Sequence, residues 1–405
     1  MSAVADQLAH WAYQLQPTTE DLALAQRALL DTVAVTLAAR SHPVSRLAAT
    51  LDEGARWAVT GHVLDFDDLH LQSTTHISVV CVPAALATGG DARAYLAAAG
   101  VMARLGIALG WEHYSAGWHA TCTAGAPAAA AGAAVAMGLG PTQIATAMAL
   151  AVPGAGGVQR AFGSDAKALQ VGFAVDAGIR AARLAAAGAG ADPTALDEWL
   201  RLVGGSTDRF ELSGPAVPGG LAIKIYPACY ALQRPISALS ALAARAGLLP
   251  SDVSRIVLRT PRSAVTPLIH HRPQTGLQAK FSIEYAAATA LLDEHQGFAC
   301  FTDEASQRPE AQRLVELVEL EVIPGGQWLL DGEIEVEVHT RTGGILRTSQ
   351  RYPPGSPQRP PEHAQLQAKL TDCLRGFDPH PDPDPDLDPA GWTWANAAGM
   401  LRSTL

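Results

Sequence analysis

From Leu22 to about Ala243 the chain is a succession of alanine-rich stretches, each closed by glycine or proline after fifteen to twenty residues. Alanine is the strongest helix former, and its methyl group lets neighbouring backbones approach closely. Glycine ends helices and proline cannot continue them. The pattern predicts helices over residues 21–39, 92–110, 124–138, 141–152, 166–188 and 194–202. The apolar run 126–139 is built of small residues and carries Pro127 near its start. It is too short and too weakly apolar to cross a bilayer, and reads as a tightly packed helix.

The character changes after Lys224. Residues 253–260 alternate apolar and polar, as a half-buried strand does, and residues 331–340 alternate more cleanly. A Thr-Gly-Gly turn then leads to a return strand over 345–351. Helical stretches lie between, at 235–246, 282–292 and 304–318. This is an α+β pattern over about 226–350. Helix resumes after Glu362 to about Arg375, and again over 390–405. Between them, residues 380–389 alternate Pro with Asp and are expected to form an extended acidic linker.

A chain of 405 residues that is 48% hydrophobic has ample material for two domains. The formal charge of −10, with no Lys/Arg run, argues against nucleic acid or an anionic membrane as partner. The five cysteines stand far apart with no CxxC, which fits reduced thiols in a cytosolic enzyme rather than a disulfide frame, a zinc site or a local iron–sulfur run. Residues 1–16 have no basic segment followed by an apolar one, so no signal peptide is expected.

Chemistry concentrates in residues 62–76. Asp65, Asp67 and Asp68 lie there with His62, His70 and His76, in a chain only 17% charged. Carboxylates beside imidazoles make hydrogen-bonded bases of tunable pKa. The bland alternative is a solvated loop with Asp67 and Asp68 as helix caps. His and Asp are also ordinary metal ligands, although the spacing matches no zinc signature. His119 stands in a Gly/Thr/Cys loop just before an alanine helix, where backbone N–H groups can receive an anion. Lys167 follows Gly163 and Ser164 in the first turn of a helix, where the dipole disfavours a cation. Lys224 sits in an apolar run before Tyr226 and Pro227, and needs an anionic partner if buried. Lys280 and Glu284 read as an ordinary i, i+4 pair.

Taken in order, these runs resemble the MmgE/PrpD family over nearly the whole chain. The carriers are Leu64 to Asp68 with Thr75 to Ser78, Gly117 to His119 with Thr121, and Gly163 and Ser164 with Lys167. Lys224 to Pro227, and Ala279 to Ser282 with Tyr285, complete the set. The resemblance implies a mainly α fold: a large all-helical domain (1–225, with 351–405 returning to it) and a smaller α+β lid domain (226–350). It also implies a homodimer without metal or cofactor, acting on small polycarboxylates. Members include 2-methylcitrate dehydratase, cis-aconitate decarboxylase and iminodisuccinate epimerase. Carried over, the catalytic residues are His119, His76, Asp65, Lys167 and Lys224, with Tyr285, His70, Gln233 and Arg234 binding substrate. Three departures stand out. Leu69 and His70 occupy positions where a threonine and a variable residue are usual, Ile77 replaces a proline, and Gln233 replaces a frequent histidine. They bear on the substrate more than on the site.

The expected mechanism has Lys167 and Lys224 holding substrate carboxylates, with His119 and His76 as acid and base in unassigned order. Asp65 would fix an imidazole tautomer. The expected reaction is dehydration of a 2-methylcitrate-like tricarboxylate, with decarboxylation and epimerisation open. A silent polycarboxylate-binding relative and a metal hydrolase built on the Asp/His cluster are the other readings.

Overall fold

The computed structural model describes residues 2–208, 210–377 and 389–405. The Pro/Asp run expected as a linker therefore lies, up to Asp388, outside the described residues. The chain is mainly α, with a small mixed sheet. Its apolar interior falls into two clusters. One is built almost wholly from residues before 218, with Phe298, Cys373, Trp392, Ala397 and Leu401 joining from later in the chain. The other draws on residues 222–338, with Leu69 and Phe162 contributed from earlier.

At the centre of the first cluster lies the helix Ala120–Ala136, buried on all sides from Ala120 to Val135. A helix with no polar face must be enclosed. It packs against Ala92–Ser115, Pro141–Ala151 and Asp165–Ala186. Small residues set the spacing. A Cβ at Gly178 would lie 2.6 Å from the Ala126 carbonyl and 2.5 Å from the Ala129 Cβ, so only glycine permits this crossing. The helix Ala92–Ser115 is long and apolar enough to cross a membrane by length and composition, but 83% of its apolar window is buried inside the protein. It runs past the expected end at Gly110, which instead forms a kink (φ 73°, ψ −175°).

The sheet comprises β1 (Val253–Pro261), β2 (Val318–Ile323), β3 (Ile334–Thr340) and β4 (Ile345–Gln350), in the order β2-β1-β3-β4. β1 pairs parallel with β2 and antiparallel with β3, and β3 pairs antiparallel with β4. The parallel pairing requires a crossover, supplied by Ile283–Leu292 and Pro309–Glu316. On the open face, Arg255 pairs with Glu319, and Arg259 with Glu321 and Glu335.

Three expectations need correction. The last helix, expected over 390–405, is confined to Ala397–Thr404. The helix expected over 304–318 is broken, because proline disfavours the helical conformation in the residue before it. Arg308 is extended (ψ 132°), and Pro309 opens a separate helix ending at Glu316. Val318 then starts β2. The helix expected from Pro235 begins at Tyr230 instead, with Pro235 inside it.

Candidate active site

Six segments converge where the two apolar clusters meet. His62 lies in the last turn of the helix Glu53–Val63. The chain then turns sharply through Asp65, which adopts φ 53°. Aspartate tolerates this left-handed conformation better than most residues, and strain of this kind concentrates at functional sites. Asp68 accepts the Ser78 backbone N–H (3.2 Å) and its hydroxyl, closing the 65–78 loop onto the helix Ser78–Ala87. This contact is structural, but the solvated capped loop of the bland reading is not found: Asp67 and Asp68 are fully buried, and Ile77 is the N-cap residue of that helix. His119 is the N-cap residue of Ala120–Ala136, and Lys167 is the third residue of Asp165–Ala186. Lys224 and Lys280 come from the second half of the chain.

Asp65 is the hub. Its Oδ1 accepts from Lys167 Nζ at 3.1 Å and from Lys224 Nζ at 2.8 Å, and Lys224 also reaches the Asp65 carbonyl at 2.8 Å. His76 Nε2 lies 3.9 Å from the same oxygen. Burial favours a neutral Asp65, but Lys167 and Lys224, with His76 and His62, outweigh it and hold the carboxyl well below the usual range. Lys167 Nζ also donates to His62 Nε2 at 2.6 Å, so the opposite ring nitrogen of His62 donates to Asp67 Oδ2 at 2.8 Å. His76 Nδ1 stands 3.0 Å from that oxygen without the alignment of a hydrogen bond. Burial, opposed by Asp67 and reinforced by Lys167, lowers the His62 pKa to about 4. Burial also lowers His76, and burial with Lys167 lowers His119 well below the ordinary histidine value. All three imidazoles are therefore neutral bases or N–H donors near pH 7.

The cluster opens onto a chamber lined by Asp65, His76, His119, Lys167 and Phe162, with Leu69 and Phe281 among its apolar walls. The chamber volume is about 20 Å³, and an adjoining space below Lys280 holds about 10 Å³. Each admits about one water molecule. Neither space admits a carboxylic acid as it stands. A surface groove of about 860 Å³, sharing Gly163, Ser164, Leu277 and Lys280 with the smaller space, lies next to it. Gly163 has φ 82°, and a Cβ there would lie 2.3 Å from His270 Nε2, which meets the Phe162 carbonyl at 2.9 Å.

The structure thus gathers Asp65, His76, His119, Lys167 and Lys224 from distant parts of the chain. Lys224 is fully buried and does not line the chamber; it braces Asp65 from behind. The four expected substrate-binding residues are not brought to the chamber wall. Tyr285 donates its hydroxyl to the Cys300 carbonyl at 2.6 Å. His70 is held between Ser73 Oγ (2.7 Å) and the Pro218 carbonyl (2.5 Å). Gln233 accepts from the amides of Ile225 and Tyr226 and donates to the carbonyls of Tyr226 and Ala228, so it shapes the turn after Lys224. Arg234 donates to the carbonyls of Leu330, Gly332 and Arg351. Nor do Lys280 and Glu284 pair. Lys280 donates to the carbonyls of Leu64 (2.9 Å) and Pro227 (2.5 Å), while Glu284 meets His271. Burial, partly countered by Asp65, lowers the Lys280 pKa to about 7.

His62, Asp67, Asp65 and His76 offer ligand atoms within 4.8 Å of one another, a set able to hold a metal ion. A dication there would face the ammonium groups of Lys167 and Lys224 at close range. The Lys167 ammonium already bridges His62 and Asp65, which disfavours a metal in this arrangement.

The buried imidazoles carry a consequence for acid stability. His42, His62 and His70 are each lowered to about 4 by burial. As pH falls below about 6.5, the unfolded chain takes up these protons before the native one does, so stability declines toward pH 4. Asp68, raised by burial and Asp31 to about 7, works the other way, because its native form binds the proton first. Three groups outweigh one. The thermal midpoint should fall steadily from pH 6.5 to pH 4; a midpoint that rises over that range contradicts the assignment.

The fold and site define a two-core protein with an enclosed cluster of carboxylates, imidazoles and ammonium groups. Family models match two stretches of the chain: the MmgE/PrpD N-terminal domain at residues 56–202 and the MmgE/PrpD C-terminal domain at residues 226–382. Together they cover most of its length, and the chain belongs to the MmgE/PrpD family, whose members are generally enzymes of a lyase-like, dehydratase type. A search of curated proteins found no match.

Proposed function

We propose that the protein is a metal-independent lyase acting on a small polycarboxylate, and that it dehydrates a 2-methylcitrate-like tricarboxylate. The observation that carries this reading is the Lys167–Asp65–His76 group, standing with His119 in one chamber. Removing a proton from carbon next to a carboxylate builds negative charge on that carboxylate. A buried ammonium such as Lys167 stabilises it far better than water would. One imidazole accepts the carbon-bound proton; the other delivers a proton to the departing hydroxyl, which leaves as water. Loss of carbon dioxide from a cis-aconitate-like acid, or epimerisation of an iminodisuccinate-like one, needs the same groups and forms the alternative.

Incubation with a panel of citrate-like and aspartate-derived acids, read by proton NMR, tests the reading. Appearance of an alkene with loss of hydroxyl supports dehydration. Release of carbon dioxide, or inversion without net loss, selects an alternative. No change in any acid refutes the lyase reading and leaves a binding protein. Chelation followed by transfer to metal-free buffer should leave turnover unchanged; loss that added zinc or manganese restores would refute metal independence.

A further inference from the structure

The geometry points to Gln170 as the residue that fixes His119 with its proton on Nε2, making His119 the proton donor of the pair and His76 the acceptor. The inference rests on the acid–base reading of the chamber and assigns the two roles left open there. Gln170 lies three residues beyond Lys167 on the helix Asp165–Ala186, so the two side chains share one helix face. Its amide is oriented by a single residue with both polarities. Oε1 accepts the Val158 N–H at 3.0 Å, and Nε2 donates to the Val158 carbonyl at 3.3 Å. Turning the amide over would set two donors against each other and two acceptors against each other. The NH₂ group therefore faces His119, with Nε2 of Gln170 2.7 Å from Nδ1 of the ring.

An N–H that donates to Nδ1 requires a lone pair there. The Cys122 thiol lies 3.2 Å from the same nitrogen, and burial raises its pKa, keeping it an S–H donor. Two donors thus converge on Nδ1. The proton of the neutral ring must sit on Nε2, which makes no protein hydrogen bond among the described residues of a side chain that lines the chamber. His76 is set the opposite way. Its Nδ1 lies 3.0 Å from the Asp67 carboxylate and its Nε2 3.9 Å from that of Asp65, so the nearer negative charge favours the proton on Nδ1 and a lone pair on Nε2. One N–H and one lone pair then face the same space.

Gln170 acts through His119 and touches no reacting atom, so it is a positioning residue. Two-bond proton–nitrogen NMR on full-length protein with ring-labelled histidines reads the tautomer directly, with His119→Gln assigning the signals. The wild type should show His119 protonated on Nε2 alone. In Gln170→Glu the carboxylate should draw the proton to Nδ1, and kcat should fall on the order of 10²-fold with KM little changed. Cys122→Ala should keep the wild-type tautomer. A wild-type His119 protonated on Nδ1, a tautomer set by Cys122 instead, or a Gln170→Glu variant with unchanged tautomer and kcat would each overturn the proposal. Should Gln170→Glu fail to fold, the wild-type spectrum and Gln170→Met, which removes the donor, decide it. The NMR arm needs no substrate. An Nε2 proton found in a protein that turns over no acid supports the Gln170 assignment while refuting the lyase reading.

Discussion

His76→Ala and His119→Ala should each lower turnover on the order of 10²–10⁴-fold while leaving the fold intact. Neither side chain anchors the backbone. The His76 amide, not its ring, bonds Thr121, and among the described residues the His119 ring is held at Nδ1 alone, by Gln170 and Cys122. Steady-state kinetics on the acid identified by NMR, with circular dichroism confirming folded protein, would measure the effect. Full activity in both variants would remove these residues from the mechanism. A loss of similar size should follow Lys167→Met, because that change removes the ammonium that joins His62 to Asp65 and faces the chamber.

Asp65→Asn should cost about 3–5 kcal/mol of stability in addition to activity, since it removes the carboxylate that two ammonium groups share in a buried setting. Asparagine tolerates the positive φ of this position, so the loss reports on charge rather than on backbone strain. Adding Lys224→Met to Asp65→Asn should recover part of the loss, because it removes one of the stranded charges. Urea denaturation measures both. A loss below about 1 kcal/mol, the range of exposed pairs, would contradict the assignment of Asp65 as the hub.

The helical body was legible because small-residue packing leaves a repeating mark. Ala and Gly recur wherever two helices touch closely, and Gly or Pro marks most of the ends. β2 carried the alternation Val-Glu-Leu-Glu-Val-Ile but followed directly on a helical run, and a strand of 6 residues is a short signal beside it. At the site, the clustering of Asp and His marked the loop whose carboxylates and imidazoles the structure gathers, and the apolar run around Lys224 marked that lysine as needing an anionic partner, which is Asp65. Direction was not legible. Gln233, Arg234, Tyr285 and Lys280 all bond backbone carbonyls, and nothing local distinguishes a side chain turned toward a carbonyl from one turned toward a cavity. His62 shows the converse. It stood in the clustered run but was no candidate for the site, and its bond to Lys167 depends on a residue more than a hundred positions further along.

Solvent deuterium exchange into a turned-over polycarboxylate tests the central claim most directly: His76, His119 and Lys167, set around Asp65, move a proton at carbon beside a carboxylate. With wild-type protein, deuterium should enter at that carbon far faster than without protein. With the His76→Ala/His119→Ala double variant, exchange should fall to the uncatalysed level. Wild-type-like exchange in a folded double variant would contradict the account.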